Sequence, residues 1–244
     1  MIEEVVIYPP ADEFEQLYIG LRKKEGRIYS DEEVAKLPLI NKAHPNYKEW
    51  KIRLRSFKTL LKYIQQKKVD LNILEVGCGN GWLSAQFASA LKGKVTGTDI
   101  NNTELEQAKR VFYRQANLRF IYGDLRDGIL GDKKFDMIIF AASIQYFSSL
   151  NEIINIASKH LTSNGEILIL DSHFYREKEV AAASQRTKDY YASVGFSKLT
   201  PHYYHHSIES LYLFNYSKLQ NSYSWENILS INKSPFPMIV IRKS

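Results

Sequence analysis

A doubly wound α/β fold, its sheet mostly parallel and finished by an antiparallel C-terminal edge hairpin, is predicted by three observations. Between residues 71 and 170, short apolar runs alternate with stretches of helical period, strand then helix, through five strands. Three glycines, Gly77, Gly79 and Gly81, follow the first of those strands at once. Beyond Asp171 the beat breaks, and the last apolar run, 238–241, has a pairing partner only in the stretch near 213–219.

The first 44 residues are mixed, with a helix start at Asp31-Glu32-Glu33 and breaks at Pro38 and Pro45, and are predicted to form an N-terminal helical cap over the sheet's carboxyl edge. From 45 to 244 the chain reads as one domain. Tyr47, Trp50, Leu54, Phe57, Leu61 and Ile64 recur every three or four residues, which places them along one face of a helix that delivers the chain to the first strand. Strand 71–76, helix 82–91 and strand 94–99 follow. Thr103 and Glu106 have capping-box spacing at the head of a helix to 114, before a strand at 118–122. The run 135–141 is apolar enough for a strand covered on both faces, and Ser149 with Glu152 caps a helix toward His160. Asn164-Gly165 is a stop and turn ahead of the fifth strand, 166–170. A helix at 176–191 ends at Gly195, and the aromatic stretch Tyr203-Tyr204-His205-His206 shows no period.

Bulk properties exclude several functions. With 44% hydrophobic residues in 244, the chain can bury a large α/β core. The start, Met1-Ile2-Glu3-Glu4, is acidic where a secretory signal is basic, and no apolar run reaches membrane-spanning length, so a soluble, cytoplasmic protein without a membrane partner is expected. A single cysteine, Cys78, cannot form an intramolecular disulfide or hold an iron–sulfur cluster. The formal charge of +6 is spread over short clusters such as Arg22-Lys23-Lys24, Lys67-Lys68 and Lys133-Lys134, without the concentrated stripe that nucleic-acid binding needs.

The motif Glu75-Val76-Gly77-Cys78-Gly79-Asn80-Gly81-Trp82 stands at the junction of first strand and first helix, where a doubly wound sheet binds its ligand. Its glycines let backbone lie directly against a ligand. A dinucleotide fingerprint would place its third glycine at position 82, which is Trp82, so a nicotinamide-dependent oxidoreductase is disfavoured. Asp99, closing the second strand, has two oxygens for the two hydroxyls of a ribose.

Over residues 70–171 these motifs together resemble the class I S-adenosylmethionine (SAM)-dependent methyltransferases, particularly the type 11 small-molecule group. The resemblance implies a Rossmann-like fold, SAM as cofactor and S-adenosylhomocysteine (SAH) as product. Glu75, Gly77 and Gly79 would shape the methionine end of the pocket, with Val76, Cys78, Gly81 and Trp82 completing its wall. Asp99 with Ile100 would take the ribose, and Asp124 the adenine amino group, between Gly123 and Leu125. The carbonyl of Ala141 would flank the methyl, and Arg53 would pair with the cofactor carboxylate. Cys78 reads as a small structural residue. Past the fourth strand there is no Asn-Pro-Pro-Tyr or Asp-Pro-Pro-Tyr signature, and Ala141 stands where metal-dependent relatives carry an acid, so no metal is expected.

The acceptor half is predicted around a variable segment, 172–212. His173, His205 and Tyr146 are the candidate catalytic groups, a histidine serving as base only where the acceptor must lose a proton. Tyr29, Ser143, Gln145, Tyr203 and His206 are the candidate substrate contacts. The resulting expectation is methyl transfer by in-line displacement to oxygen, nitrogen or carbon of a small molecule, with acceptor and oligomeric state left open. The rivals are an RNA or protein methyltransferase and a SAM-binding module without catalysis.

Overall fold

The computed structural model describes residues 13–67, 70–220 and 235–243. The acidic start at Met1 to Glu4 and Lys68 lie outside them.

Among the described residues three helices precede the sheet: α1 (Glu13–Lys24), α2 (Asp31–Val34) and α3 (Tyr47–Gln65). The wound core follows as β1 (Ile73–Val76), α4 (Trp82–Ala90), β2 (Val95–Asp99), α5 (Asn102–Phe112), β3 (Leu118–Tyr122), β4 (Phe135–Ala141), α6 (Leu150–Lys159) and β5 (Leu161–Leu170). Then come α7 (Glu177–Ser193), β6 (Asn215–Gln220) and β7 (Met238–Arg242). Among the described residues the sheet has seven strands in the order β3-β2-β1-β4-β5-β7-β6. Pairings from β3 through β5 are parallel, and β7 lies antiparallel between β5 and β6. The predicted hairpin therefore forms with its later strand inside and β6 at the edge. Because β1 has β2 on one side and β4 on the other, strand order reverses there and a crevice opens at the carboxyl ends of the strands.

The pleat divides the core into two layers, since successive side chains of a strand point to opposite faces. Met137 and Ile139 of β4, with Leu168 of β5, pack on the α3 and α4 side with Phe57, Leu60 and Phe87. Ile138 and Phe140, with Ile167 and Ile169, face α6 through Ile153, Ile154 and Ala157. Each fully buried Ile, Leu, Met or Phe side chain among them contributes roughly 1.5–3 kcal/mol. On α3 the buried line is Trp50, Phe57, Leu60 and Ile64, with Leu54 and Leu61 half-buried at its margin, so the predicted face is kept at Trp50, Phe57 and Ile64 and leans toward Leu60.

Two local expectations are corrected. Asn101, not Thr103, caps α5: its Oδ1 accepts the Glu104 N–H at 3.0 Å, while Thr103 donates from its backbone and hydroxyl to Glu15 Oε1. Asn164-Gly165 lies within β5 instead of ahead of it. Leu161 pairs with Phe135 and Glu166 with Met137, so 162–165 bulge opposite Asp136, to which the Thr162 hydroxyl donates at 3.0 Å. Ser149 caps α6 as predicted, accepting the Glu152 N–H at 3.2 Å. Replacing Asn101 by Ala is expected to lower unfolding free energy by about 1 kcal/mol in urea denaturation; an unchanged midpoint would remove the cap assigned to it.

Candidate cofactor and acceptor site

The site is built from the turn after β1. Gly77 and Cys78 both donate their N–H to the Thr98 carbonyl, at 2.8 and 3.0 Å, which ties the turn to the tip of β2. Gly77 has φ +76°, and a Cβ there would lie 2.5 Å from the Ser143 Cβ, so conformation and space both require glycine. The Ser143 hydroxyl donates to the Val76 carbonyl at 2.5 Å and draws the loop after β4 onto the same turn. Gly79 N–H donates to Asp99 Oδ2 at 2.7 Å, and Asn101 N–H to Oδ1 at 2.8 Å. Three strand tips thus converge, and the loops after β4 and β5 add Ala142 and Asp171, each at φ +54°, a conformation few non-glycine residues hold.

Three cavities meet here. One of about 460 Å³ is walled by Asp99, Ile100, Gly123, Asp124 and Leu125. A smaller one, about 110 Å³, has Glu75 and Trp82 in its wall and Arg22, Arg27 and Arg53 across from them. Gly77, Gly79 and Glu104 line both, so the two form one groove. A third, about 450 Å³, is walled by Tyr146, Gln145, Asp171, His173, Tyr191 and Tyr203. Tyr18 and Ala142 border all three.

The groove is electrically polarised. On the strand side, burial pushes the Glu75 carboxyl up to about 8, although the Ser84 hydroxyl donates to its Oε2 at 2.5 Å. Burial raises Asp99 as well, against its backbone hydrogen bonds. Glu104, on α5, is raised to about 7 by burial and by the charge of Asp99. On the opposite side runs an alternating chain: Arg22 to Glu25 (3.3 Å), Glu25 to Arg27 (3.4 Å), Arg27 to Glu49 (2.9 Å) and Glu49 to Arg53 (3.0 Å). Burial works against the charge on Glu49, but Arg53 and Arg27 hold its carboxyl below the ordinary range. An arginine stands at each end of this chain, so it carries one positive charge in excess.

The structure brings most of the predicted cofactor residues together. Val76, Gly77, Asp99, Ile100, Gly123, Asp124 and Leu125 border the larger cavity, and Glu75, Cys78, Gly79, Trp82, Ala141 and Arg53 the smaller. Gly81 stands behind them as the left-handed N-cap of α4. Cys78 is buried and its thiol is pushed up by burial, which leaves it unreactive. Arg53 differs from expectation in that Nε and Nη2 both donate to Glu49 Oε1, at 3.1 and 3.0 Å. Asp124 accepts the Arg126 guanidinium at 2.6 Å and caps the turn 125–127; despite burial, these bonds hold its carboxyl low.

Several of the candidate acceptor residues make other contacts. His205 does not border the third cavity: its Nδ1 meets the Ser184 hydroxyl at 3.2 Å and its Nε2 the Thr187 hydroxyl at 2.9 Å, so both ring nitrogens are engaged with α7. His206 is buried with Nε2 on the Ile144 carbonyl at 3.1 Å and supports the loop after β4. Tyr29 borders the cofactor side, its hydroxyl accepting from Trp50 Nε1 (2.8 Å) and Asn46 Nδ2 (3.0 Å). Ser143 is the turn clamp described above. Gln145 does border the acceptor cavity, bridging the Ala142 carbonyl and the Ser172 hydroxyl. His173, lowered by burial, and Tyr146 and Tyr203 also stand in that wall.

The sequence reading passed over Tyr18 and Arg22 of α1, Glu104 and Asp171. Phe14, Leu17, Tyr18 and Leu21 have helical spacing and could have marked α1; nothing local marks Glu104 or Asp171, whose carboxylate accepts the Ser56 hydroxyl at 2.5 Å.

A pH dependence of stability follows from Glu75 and Glu104. The folded state keeps both protonated to about 8 and about 7, whereas the unfolded chain loses these protons in the ordinary glutamate range. The folded state therefore binds more protons in between, and stability falls as pH rises through that window. Urea midpoints of the ligand-free protein should decline from pH 5 toward pH 8, roughly the interval between these values, and Glu75→Gln should flatten the decline; an identical slope in the variant would refute it.

Residues 67–229, more than half of the chain, match a protein family described as "Methyltransferase domain". The malonyl-[acyl-carrier protein] O-methyltransferase of Priestia megaterium is 30% identical over 100 residues, 41% of this chain and 36% of that protein. A histidine protein methyltransferase 1 homolog of Dictyostelium discoideum is 27% identical over 126 residues, 48% of this chain and 40% of that one. The chain spans less than half the length of these curated relatives. Among solved structures, magnesium protoporphyrin IX methyltransferase from Synechocystis PCC 6803, with SAH bound, superposes with TM-score 0.58 at 14% identity, covering 96% of this chain and 98% of that one. The plantazolicin methyltransferase BpumL, with SAH and a triazolic desmethylPZN analog, gives 0.59 at 17% identity and 95% of each chain. Those two likenesses concern the fold. The family match, the strand order and the glycine turn together make this chain a member of the methyltransferase-domain family, built on the class I SAM-dependent fold.

Proposed function

We propose that the chain holds SAM in the two joined cavities and transfers its methyl group to a small molecule in the third. The observation that carries this reading is the polarity of the groove, with carboxylates on the strand side, arginines across from them and bare glycine backbone between. An amino-acid end bearing both an ammonium and a carboxylate fits such a field, and an uncharged nucleoside alone does not. The residues present therefore fit the cofactor.

In this reading Asp99 accepts the ribose hydroxyls. Its two backbone donors leave lone pairs on a carboxylate that has about four acceptor positions. Asp124, with Ile100 and Leu125 beside it, receives the adenine. Glu75, Gly77 and Gly79 face the methionine chain, and the arginine-rich side faces its carboxylate. When bound, the cofactor supplies a methyl group already activated by a positive sulfur. The chain then has to orient the acceptor and exclude water, and orientation of this kind supplies roughly 7–11 kcal/mol. Ala142 and Tyr18, common to all three cavities, mark the point of transfer.

Tyr146, Tyr203 and Gln145 hold the acceptor. Burial lowers the His173 imidazole, which favours the neutral form that can take a proton from an acceptor that must lose one. Such a base would add roughly 3–5 kcal/mol, less than positioning. Residues 1–44 act as the cap and 45–244 as the catalytic domain, with 172–212 supplying much of the acceptor wall. The malonyl-[acyl-carrier protein], porphyrin and plantazolicin enzymes act, by name, on dissimilar acceptors, which agrees with a fold that keeps the cofactor groove and varies the third cavity. We also place the protein in the cytoplasm, in keeping with its single, buried thiol.

Titration calorimetry should show one site for SAM and for SAH. Asp99→Ala should weaken both by about tenfold or more, as the loss of charge-assisted hydrogen bonds predicts. Unchanged affinity would overturn the placement of the ribose.

A further inference from the structure

Glu104 has no counterpart among the residues that motif reasoning assigns, yet it stands at the seam of the groove. It lines both the larger cavity and the smaller one, and its Oε2 lies 3.1 Å from where a Cβ on Gly79 would project. Of the acids beside the seam, Glu75 is engaged by the Ser84 hydroxyl, and Asp99 by two backbone N–H groups that leave part of its acceptor capacity open. Among the described residues no side chain or backbone N–H donates to the Glu104 carboxylate, on which burial and the surrounding charges act.

In a molecule that joins a methionine chain to a ribose, the sulfur is the joining atom. If the chain lies in the smaller cavity and the nucleoside in the larger, the sulfur lies at the seam. SAM and SAH differ there by one methyl group and one unit of positive charge. Resting on the function proposed above, we infer that Glu104 is a specificity-determining residue whose carboxylate faces the cofactor sulfur and makes the groove prefer the charged donor over the uncharged product. Transfer of the methyl group removes the charge that Glu104 favours, so the same contact weakens the hold on SAH once the reaction is over.

Glu104 is surrounded from every side. From α1 it faces Glu15, Tyr18 and Arg22, from α3 Arg53, and from the turn after β1 and the tip of β2 Cys78 and Asp99, while Glu75 lines the same smaller cavity. Asp99 and Glu15 favour its protonated form, and Arg22 and Arg53 its ionised form. Burial and the charge of Asp99 raise its carboxyl to about 7, so it holds a proton more readily than an exposed glutamate. A cation arriving beside it favours ionisation, so binding of SAM releases a proton that SAH releases to a smaller extent.

The experiment is calorimetry of the full chain at pH 7 with SAM and with SAH, each in two buffers of different ionisation enthalpy. The wild type is expected to bind SAM more tightly and to release more protons with SAM than with SAH. In Glu104→Gln the SAM-to-SAH affinity ratio should fall by about tenfold, equivalent to about 1.4 kcal/mol, and the difference in proton release should vanish. SAH affinity should change by no more than about twofold, since it makes little use of that charge. Glu104→Asp should restore part of the ratio. An unchanged ratio, or equal losses for both ligands, would overturn the inference while leaving the cofactor assignment intact. Failure of the wild type to bind either ligand would overturn both.

Discussion

The hydrogen bonds between the glycine turn and the tip of β2 are the constraint on which the site depends. With Gly77 and Cys78 on the Thr98 carbonyl, and Gly79 on the Asp99 carboxylate, the turn has no freedom to lift away from the sheet. A side chain at Gly77 would strike Ser143, whose hydroxyl binds the Val76 carbonyl and brings the β4 loop to the same place. The groove is therefore a consequence of backbone that approaches closely because it carries no side chains. Its floor is set by main-chain atoms, and only its rim is open to variation in side chains.

Charge is arranged about that floor with the same economy. Burial first, and then the charges of neighbouring carboxylates, raises the proton affinity of Glu75, Asp99 and Glu104, an arrangement that disfavours the ligand-free state at high pH and favours a ligand with a positive group. The arginine and glutamate chain opposite is internally paired, so it holds its shape without a ligand while retaining one positive charge in excess. Aromatic contacts stiffen it at both ends: Arg22 lies 4.8 Å from the Tyr18 ring centre and Arg53 5.5 Å from that of Trp50.

Helix α1 links the two halves of the site. Glu15 binds Thr103 at the head of α5, beside the cofactor groove. At its other contacts Glu13 pairs with Lys198, Lys24 donates to the Val194 carbonyl, and Glu25 just past the helix accepts from Tyr190. Its ring-bearing face, Phe14 and Tyr18, meets Tyr146 edge-on from across the cavities. A segment with little sequence signal thus forms the partition at which cofactor and acceptor would meet.

What the sequence determined by itself is the wound core and the cofactor side of the site. Periodicity is a local property, so strands 118–122 and 135–141 and the Ser149 cap were legible from neighbouring residues. The glycine motif and the acids at strand ends were legible for the same reason, since each occupies a defined step of a repeating unit. Other features were decided only by the tertiary structure. Whether His205 faces a cavity or α7, whether the Arg53 fork is open or held by Glu49, and whether Glu104 reaches Gly79 all depend on contacts between segments distant in the chain or on side-chain direction. Spacing along the chain identifies which residues share an element; the packing of elements against one another decides which of them share a site.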